Sequence, residues 1–233
     1  MISIEQIDIA KDRMMTLQTP TGDTTPLTID FFHDVVCGWC YVMSPRLRQV
    51  AGELDIEVRH RSFVLQDSRE RMVQAFGSME QAKSAILGHW EACAKQDDEQ
   101  RIDIEGMRAE SFEYPNGLAG AHACQAAHIM GGDAAHWDYF DAVQNAHLSQ
   151  HRNIGNRSVL LDIAVELGFA RDVFAAHMGS EAASERVRAD RDEARKLDIR
   201  SIPTLIVGPD LDRLQTMPVP ALKARLQAIM RNA

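Results

Sequence analysis

Long apolar runs are missing from this 233-residue sequence: no stretch approaches the ~18 consecutive apolar residues of a membrane-spanning helix, so no membrane partner is expected. Basic clusters are missing too. The formal net charge is −9, and no stripe of lysine and arginine interrupts it, which removes the electrostatic footing for nucleic acid or an anionic membrane surface. Residues 1–26 mix Glu5, Asp8, Lys11, Asp12 and Arg13 among short apolar residues. They lack the basic, apolar and small-residue regions of a secretory signal, and the expectation is a cytoplasmic chain with an N-terminal extension. Cysteine is scarce. Four thiols are too few for a disulfide scaffold in a chain of this length, which agrees with a reducing compartment and a catalytic use of thiols. What remains, 45% hydrophobic and 25% charged, has room for one large domain or a small domain with a substantial insertion.

Two of the four cysteines stand together in Cys37-Gly38-Trp39-Cys40. The run before them, Leu27-Thr28-Ile29-Asp30-Phe31-Phe32, is β-branched and aromatic and reads as a buried strand, and residues 41–54 after them have helical spacing. The pair therefore falls at a strand-to-helix junction, where unpaired backbone N–H groups and the positive end of the helix dipole stabilise a thiolate. That makes Cys37 the candidate nucleophile. Cys40 lies one helical turn on, within a small adjustment of disulfide geometry. Half a zinc site and a pair of buried core cysteines are the competing readings. The nearest further ligand pairs, His89 with Cys93 and His122 with Cys124, lack the spacing of a second zinc knuckle, and no metal is expected.

Residues 56–65 alternate apolar and polar before turning apolar, which gives a strand-helix-strand start. The following ~115 residues break into helical segments, among them 79–96, 117–130, 133–150 and a helix capped by Asn156 and ended at Gly168. Their methionines read as core filler. His122, His128, His136, His147 and His151 fall on different segments without a metal-ligand pattern and read as surface or hydrogen-bonded histidines. His33 and Asp34 read as polar loop residues beside the thiols. Residues 185–196 alternate acidic and basic and read as a solvated helix face. Strand character returns at 202–208, is weaker at 211–217, and gives way to a helix over 219–231, with Leu222, Leu226, Ile229 and Met230 on one face.

Together, CGWC after an apolar strand and Ser201-Ile202-Pro203-Thr204 before a late strand resemble a thioredoxin fold, and the large helical insertion resembles its DsbA family. Pro115-Asn116-Gly117 with Ala121-His122, and Asn153-Ile154-Gly155 with Val159-Leu160 and residues 164–168, resemble the cytoplasmic FrnE-like branch. The resemblance spans residues 27–232. It departs from the branch at Gly38, where proline is common, and at Met217-Pro218, where a glycine follows the last strand. The implied fold class is α/β, a thioredoxin domain over 27–66 and 183–233 split by an all-helical insertion over 67–182. The resemblance also implies a cis Ile202–Pro203 bond facing the CxxC, with Ile202 and Pro203 binding an extended substrate segment and Trp39 covering one side.

The implied activity is thiol–disulfide exchange through Cys37 and Cys40, of the oxidase or isomerase kind, on a protein or small-molecule thiol or disulfide. No resident cofactor is implied beyond the redox-active pair, with glutathione as a candidate co-substrate, and the chain acts as a monomer or homodimer. Two other readings stay open. One is a glutathione-dependent isomerase or transferase resembling 2-hydroxychromene-2-carboxylate isomerase or kappa-class glutathione transferase, which usually place serine where Cys37 stands. The other is a non-enzymatic, chaperone-like binding module. Cys93 and Cys124 carry no assignment.

Overall fold

The computed structural model describes residues 26–232, so the expected N-terminal extension lies almost wholly outside the described residues. β1 (Thr28–His33) runs from the apolar stretch before the motif, and α1 (Gly38–Leu54) follows it after a tight turn. Asp55 ends α1 in the left-handed conformation, its N–H returning to the Ala51 carbonyl. β2 (Glu57–Ser62) then lies parallel to β1, with Ile29 opposite Val58 and Phe31 opposite His60. Six helices follow: α2 (Arg69–Phe76), α3 (Met79–Ala94), α4 (Ile104–Ala109), α5 (Leu118–Leu148), α6 (Arg157–Glu166) and α7 (Arg171–Met178). The chain closes with α8 (Glu181–Lys196), β3 (Thr204–Val207), β4 (Asp212–Leu214) and α9 (Val219–Asn232).

The sheet order is β2-β1-β3-β4, with β3 antiparallel to both β1 and β4. Because side chains alternate along a strand, β1 faces two layers. Ile29 and Phe31 join the large core shared by α1, α3, α5, α6 and α9, whereas Phe32 packs with Ile206, Ala194 and Ile199 beneath α8. Each such aromatic or aliphatic side chain contributes about 1.5–3 kcal/mol by leaving water. The large cluster runs without a break from the sheet through Tyr139, Phe140, Leu160 and Phe174, so the added helices share the core of the thioredoxin-like part.

Residues 117–130 and 133–150 form one long element with a kink, Gly131 and Gly132 leaving helical geometry between its halves. His33 is not a loop residue. It ends β1 and is buried, and Asp34 after it is buried as well. The reading of the later histidines is corrected in part. His128 pairs with Asp133 at 3.3 Å and His151 with Asp103 at 2.9 Å, but His136 and His147 are both fully buried, and among the described residues neither ring nitrogen of His136 has a partner. The rings packed against them come from His33 on β1 and His60 on β2 for His136, and from Trp90 on α3 for His147, which local spacing does not bring together. No described helix is long and apolar enough to cross a membrane.

Candidate active site

Cys37 is the N-cap of α1, in extended conformation, and its Sγ accepts from the Cys40 backbone N–H at 3.4 Å. The Cys37 carbonyl meanwhile accepts from the backbone N–H groups of Cys40 and Tyr41, both at 3.1 Å. This is the helix terminus anticipated from the strand-to-helix junction, with the sulfur itself doing the capping. Cys40 lies inside the first turn and is fully buried, while Cys37 keeps 8% of its surface exposed. Burial first, then the hydrogen bond and charge of Cys37, raise the Cys40 thiol well above its ordinary value. Of the two sulfurs, Cys37 is the one that a second molecule can reach.

The turn that carries Cys37 is held from several directions. Asp34 accepts from the Leu65 N–H at 2.6 Å and the Val36 N–H at 3.3 Å. Burial pushes its carboxyl up to about 6, and those backbone hydrogen bonds oppose the shift. The Tyr114 hydroxyl donates to the Val36 carbonyl at 3.1 Å, and Gln144 on α5 donates to the carbonyls of Cys37 and Asp34 at 3.0 and 3.3 Å. The site is thus positioned largely by residues that the sequence did not single out. Gln144 and Tyr114 lie far along the chain, and nothing local marks them.

Ile202–Pro203 is cis. The Cys37 thiol points to the Ile202 carbonyl oxygen at 3.9 Å, so the late strand and the motif meet across the site. Beside them opens a cleft of about 300 Å³ whose walls include Cys37, Trp39, Phe76, Trp90, Cys93 and Ile202. Trp39 also borders a second cavity, with Arg46, Lys95 and Met217, and so stands as the ridge between the two. Pro203 itself is buried at the foot of β3 and is absent from the cleft wall. Cys93 lies on α3 against Gly38; burial pushes its thiol up to about 12. Cys124 is fully buried on α5, away from the cleft wall. Among the described residues, the one group of three potential metal-ligating side chains is His33, His60 and His136, which excludes both motif cysteines.

A cysteine pair at the head of the first helix, an Ile-Pro loop facing it and helices inserted after the second strand define a thioredoxin-fold protein of the DsbA kind. The profile of the DSBA-like thioredoxin domain matches residues 28–227, and the chain belongs to that family. A curated relative, the ClpXP adapter protein SpxH of Shouchella clausii (strain KSM-K16), is 24% identical over 196 residues, 79% of this chain. The matched region spans 59% of that relative's length. Among solved structures, the cytosolic disulfide reductase DsbM from Pseudomonas aeruginosa superposes with a TM-score of 0.70 at 23% identity, over 88% of this chain and 100% of that one. DsbM with GSH gives the same TM-score at 24% identity, over 88% and 99% of the respective chains. A 2-hydroxychromene-2-carboxylate isomerase aligns with a TM-score of 0.62 at 18% identity, over 88% of this chain and 95% of that one. These likenesses concern the fold.

Proposed function

We propose that the protein is a thiol–disulfide oxidoreductase that exchanges disulfides through Cys37 and Cys40. The observation that carries this reading is the asymmetry of the pair: Cys37 caps α1 at the mouth of the cleft, and Cys40 is sealed one turn behind it. In the reducing direction the Cys37 thiolate attacks one sulfur of a substrate disulfide and expels the other as thiolate. Cys40, on losing its proton, then attacks Cys37 Sγ and releases the second substrate thiol, so two electrons pass from the pair to the substrate. In the oxidising direction a substrate thiolate opens the Cys37–Cys40 disulfide at Cys37, and a second thiol resolves the mixed disulfide. Isomerisation uses the same intermediate.

Substrates are thiols or disulfides of proteins or small molecules, held between Trp39 and Ile202. Glutathione is a co-substrate, a reading supported by the likeness to DsbM with GSH, and no resident cofactor is required. The likeness to a protein described as cytosolic supports action in the cytoplasm, where glutathione returns the pair to the dithiol. The test is dithiol-dependent insulin reduction: Cys37→Ser is expected to abolish it, and full activity in that variant would falsify the assignment. The likeness to a 2-hydroxychromene-2-carboxylate isomerase supports a second reading, a glutathione-dependent isomerase. Glutathione-dependent turnover that survives Cys40→Ser would favour it, since such chemistry needs no resolving thiol.

A further inference from the structure

We propose that His33, His60 and His136 form a buried site for one transition-metal ion, with zinc(II) as the matching cation, separate from the cysteine pair. The three come from different parts of the chain. Phe31 pairs with His60 across the β1–β2 ladder, so His33, two residues beyond Phe31, shares its face of the sheet with His60. His136 comes down on them from α5, just past the kink at Gly131 and Gly132. One ring nitrogen from each residue lies within 4.8 Å of the other two.

His60 Nδ1 and His33 Nε2 are 3.0 Å apart. Two imidazole nitrogens bound at about 2.0–2.1 Å to a tetrahedral ion stand about 3.4 Å apart, so this pair is nearly at ligand spacing already. The third donor, on His136, stands within 4.8 Å of both. The ring that would bring the third donor is also without a hydrogen bond: among the described residues, neither nitrogen of the fully buried His136 has a partner. Buried polar atoms are ordinarily satisfied, and an imidazole buried with both nitrogens unpartnered beside two converging donors calls for a ligand.

The chemistry of the donors selects the ion. Three imidazoles with neither thiolate nor carboxylate suit zinc, copper or nickel and are poor ligands for calcium or magnesium. Phe31, Phe140 and Trp137 pack around the rings and keep bulk water away. His128, whose ring lies 6.1 Å from that of His136, pairs through Nδ1 with Asp133 and forms the next polar layer outward. An ion held here ties α5 to β1 and β2 immediately upstream of the turn that carries Cys37. Because its ligands come from two strands and a distant helix, no sequence spacing announces it.

The test uses full-length protein carrying Cys37→Ser and Cys40→Ser, so that the motif thiols cannot bind metal, stripped with a chelator and titrated with zinc(II) in a calorimeter. One equivalent is expected to bind and to raise the melting temperature. His136→Phe, which fills the same space, and His60→Gln are each expected to remove that binding and the thermal shift. Cobalt(II) in the same protein should give the visible bands of a nitrogen-ligated site without a thiolate charge-transfer band. Failure of the folded Cys37→Ser/Cys40→Ser protein to take up zinc would overturn the proposal. So would uptake unchanged in folded His136→Phe or His60→Gln protein. Either result would make the cluster three neutral imidazoles packed as core.

Discussion

A proline at the first position of a helix is ordinarily favourable, since its fixed φ suits the turn and its missing N–H is one of the unpaired donors there. Gly38 holds that position in α1, yet a Cβ built on it would lie 2.9 Å from Cys93 Sγ and 3.3 Å from Cys93 Cβ. The departure from the branch's usual proline is therefore matched by a thiol on α3 that fills the space. Gly38→Pro is expected to cost about 1–3 kcal/mol, the range for overpacking. Adding Cys93→Ala should recover most of that loss in urea denaturation, and an undiminished loss in the double variant would show that Cys93 is not the obstacle. His147 makes a second case at this scale. Buried against the edges of Trp90 and Tyr114, it has its pKa lowered by burial to about 3, against 6.5 for an ordinary histidine. Between those values the unfolded chain takes up a proton that the folded chain refuses, so this residue's contribution to stability falls as pH falls below 6.5. His147→Leu is expected to flatten stability against pH by about 1.4 kcal/mol per unit in that window. Denaturation midpoints at several acidic pH values check it; an unchanged slope would mean that His147 titrates normally.

The long helix α5 shows how far local pattern reaches at the scale of an element. Glycines at 131 and 132 read as punctuation between two helical segments, and the structure keeps a break there while running the axis on from Leu118 to Leu148. Gly132 sits at φ +72 and ψ −162, a region that only glycine enters freely, and a Cβ there would meet nothing within 4 Å. Gly132→Ala is therefore expected to destabilise by about 1–3 kcal/mol through backbone strain alone. A thermal melt measures it, and a neutral substitution would mean that the kink relaxes. Strands β1 and β3 and helices α1, α3, α6 and α9 were legible because apolar period, caps and breakers agree locally. The three residues of β4 are too few to show an alternation, and α2, α4 and α7 are too short for a period to develop. At the site, Cys37 and Cys40 announce themselves by spacing. Asp34, Tyr114, Gln144 and the contact of Cys93 with Gly38 do not, because each depends on α3, α5 or the preceding loop arriving from elsewhere.

For the molecule as a whole, the helices inserted after β2 form much of the candidate site's foundation. Gln144 holds the carbonyls of the motif turn, Trp90 and Cys93 wall the cleft, and one core runs from the sheet into α5 to α7. The chain-distant Ile202 carbonyl closes the other side. All of this surrounds one partly accessible sulfur, Cys37, through which the proposed exchange passes. The most direct measurement is to incubate the Cys40→Ser protein with oxidised glutathione or a disulfide-bonded protein and map the resulting mixed disulfide by mass spectrometry. The expected result is a single adduct on Cys37 that accumulates because the resolving thiol is gone, with Cys93 and Cys124 unmodified. An adduct on Cys93 or Cys124 instead of Cys37, or no adduct in the folded protein, would contradict the assignment.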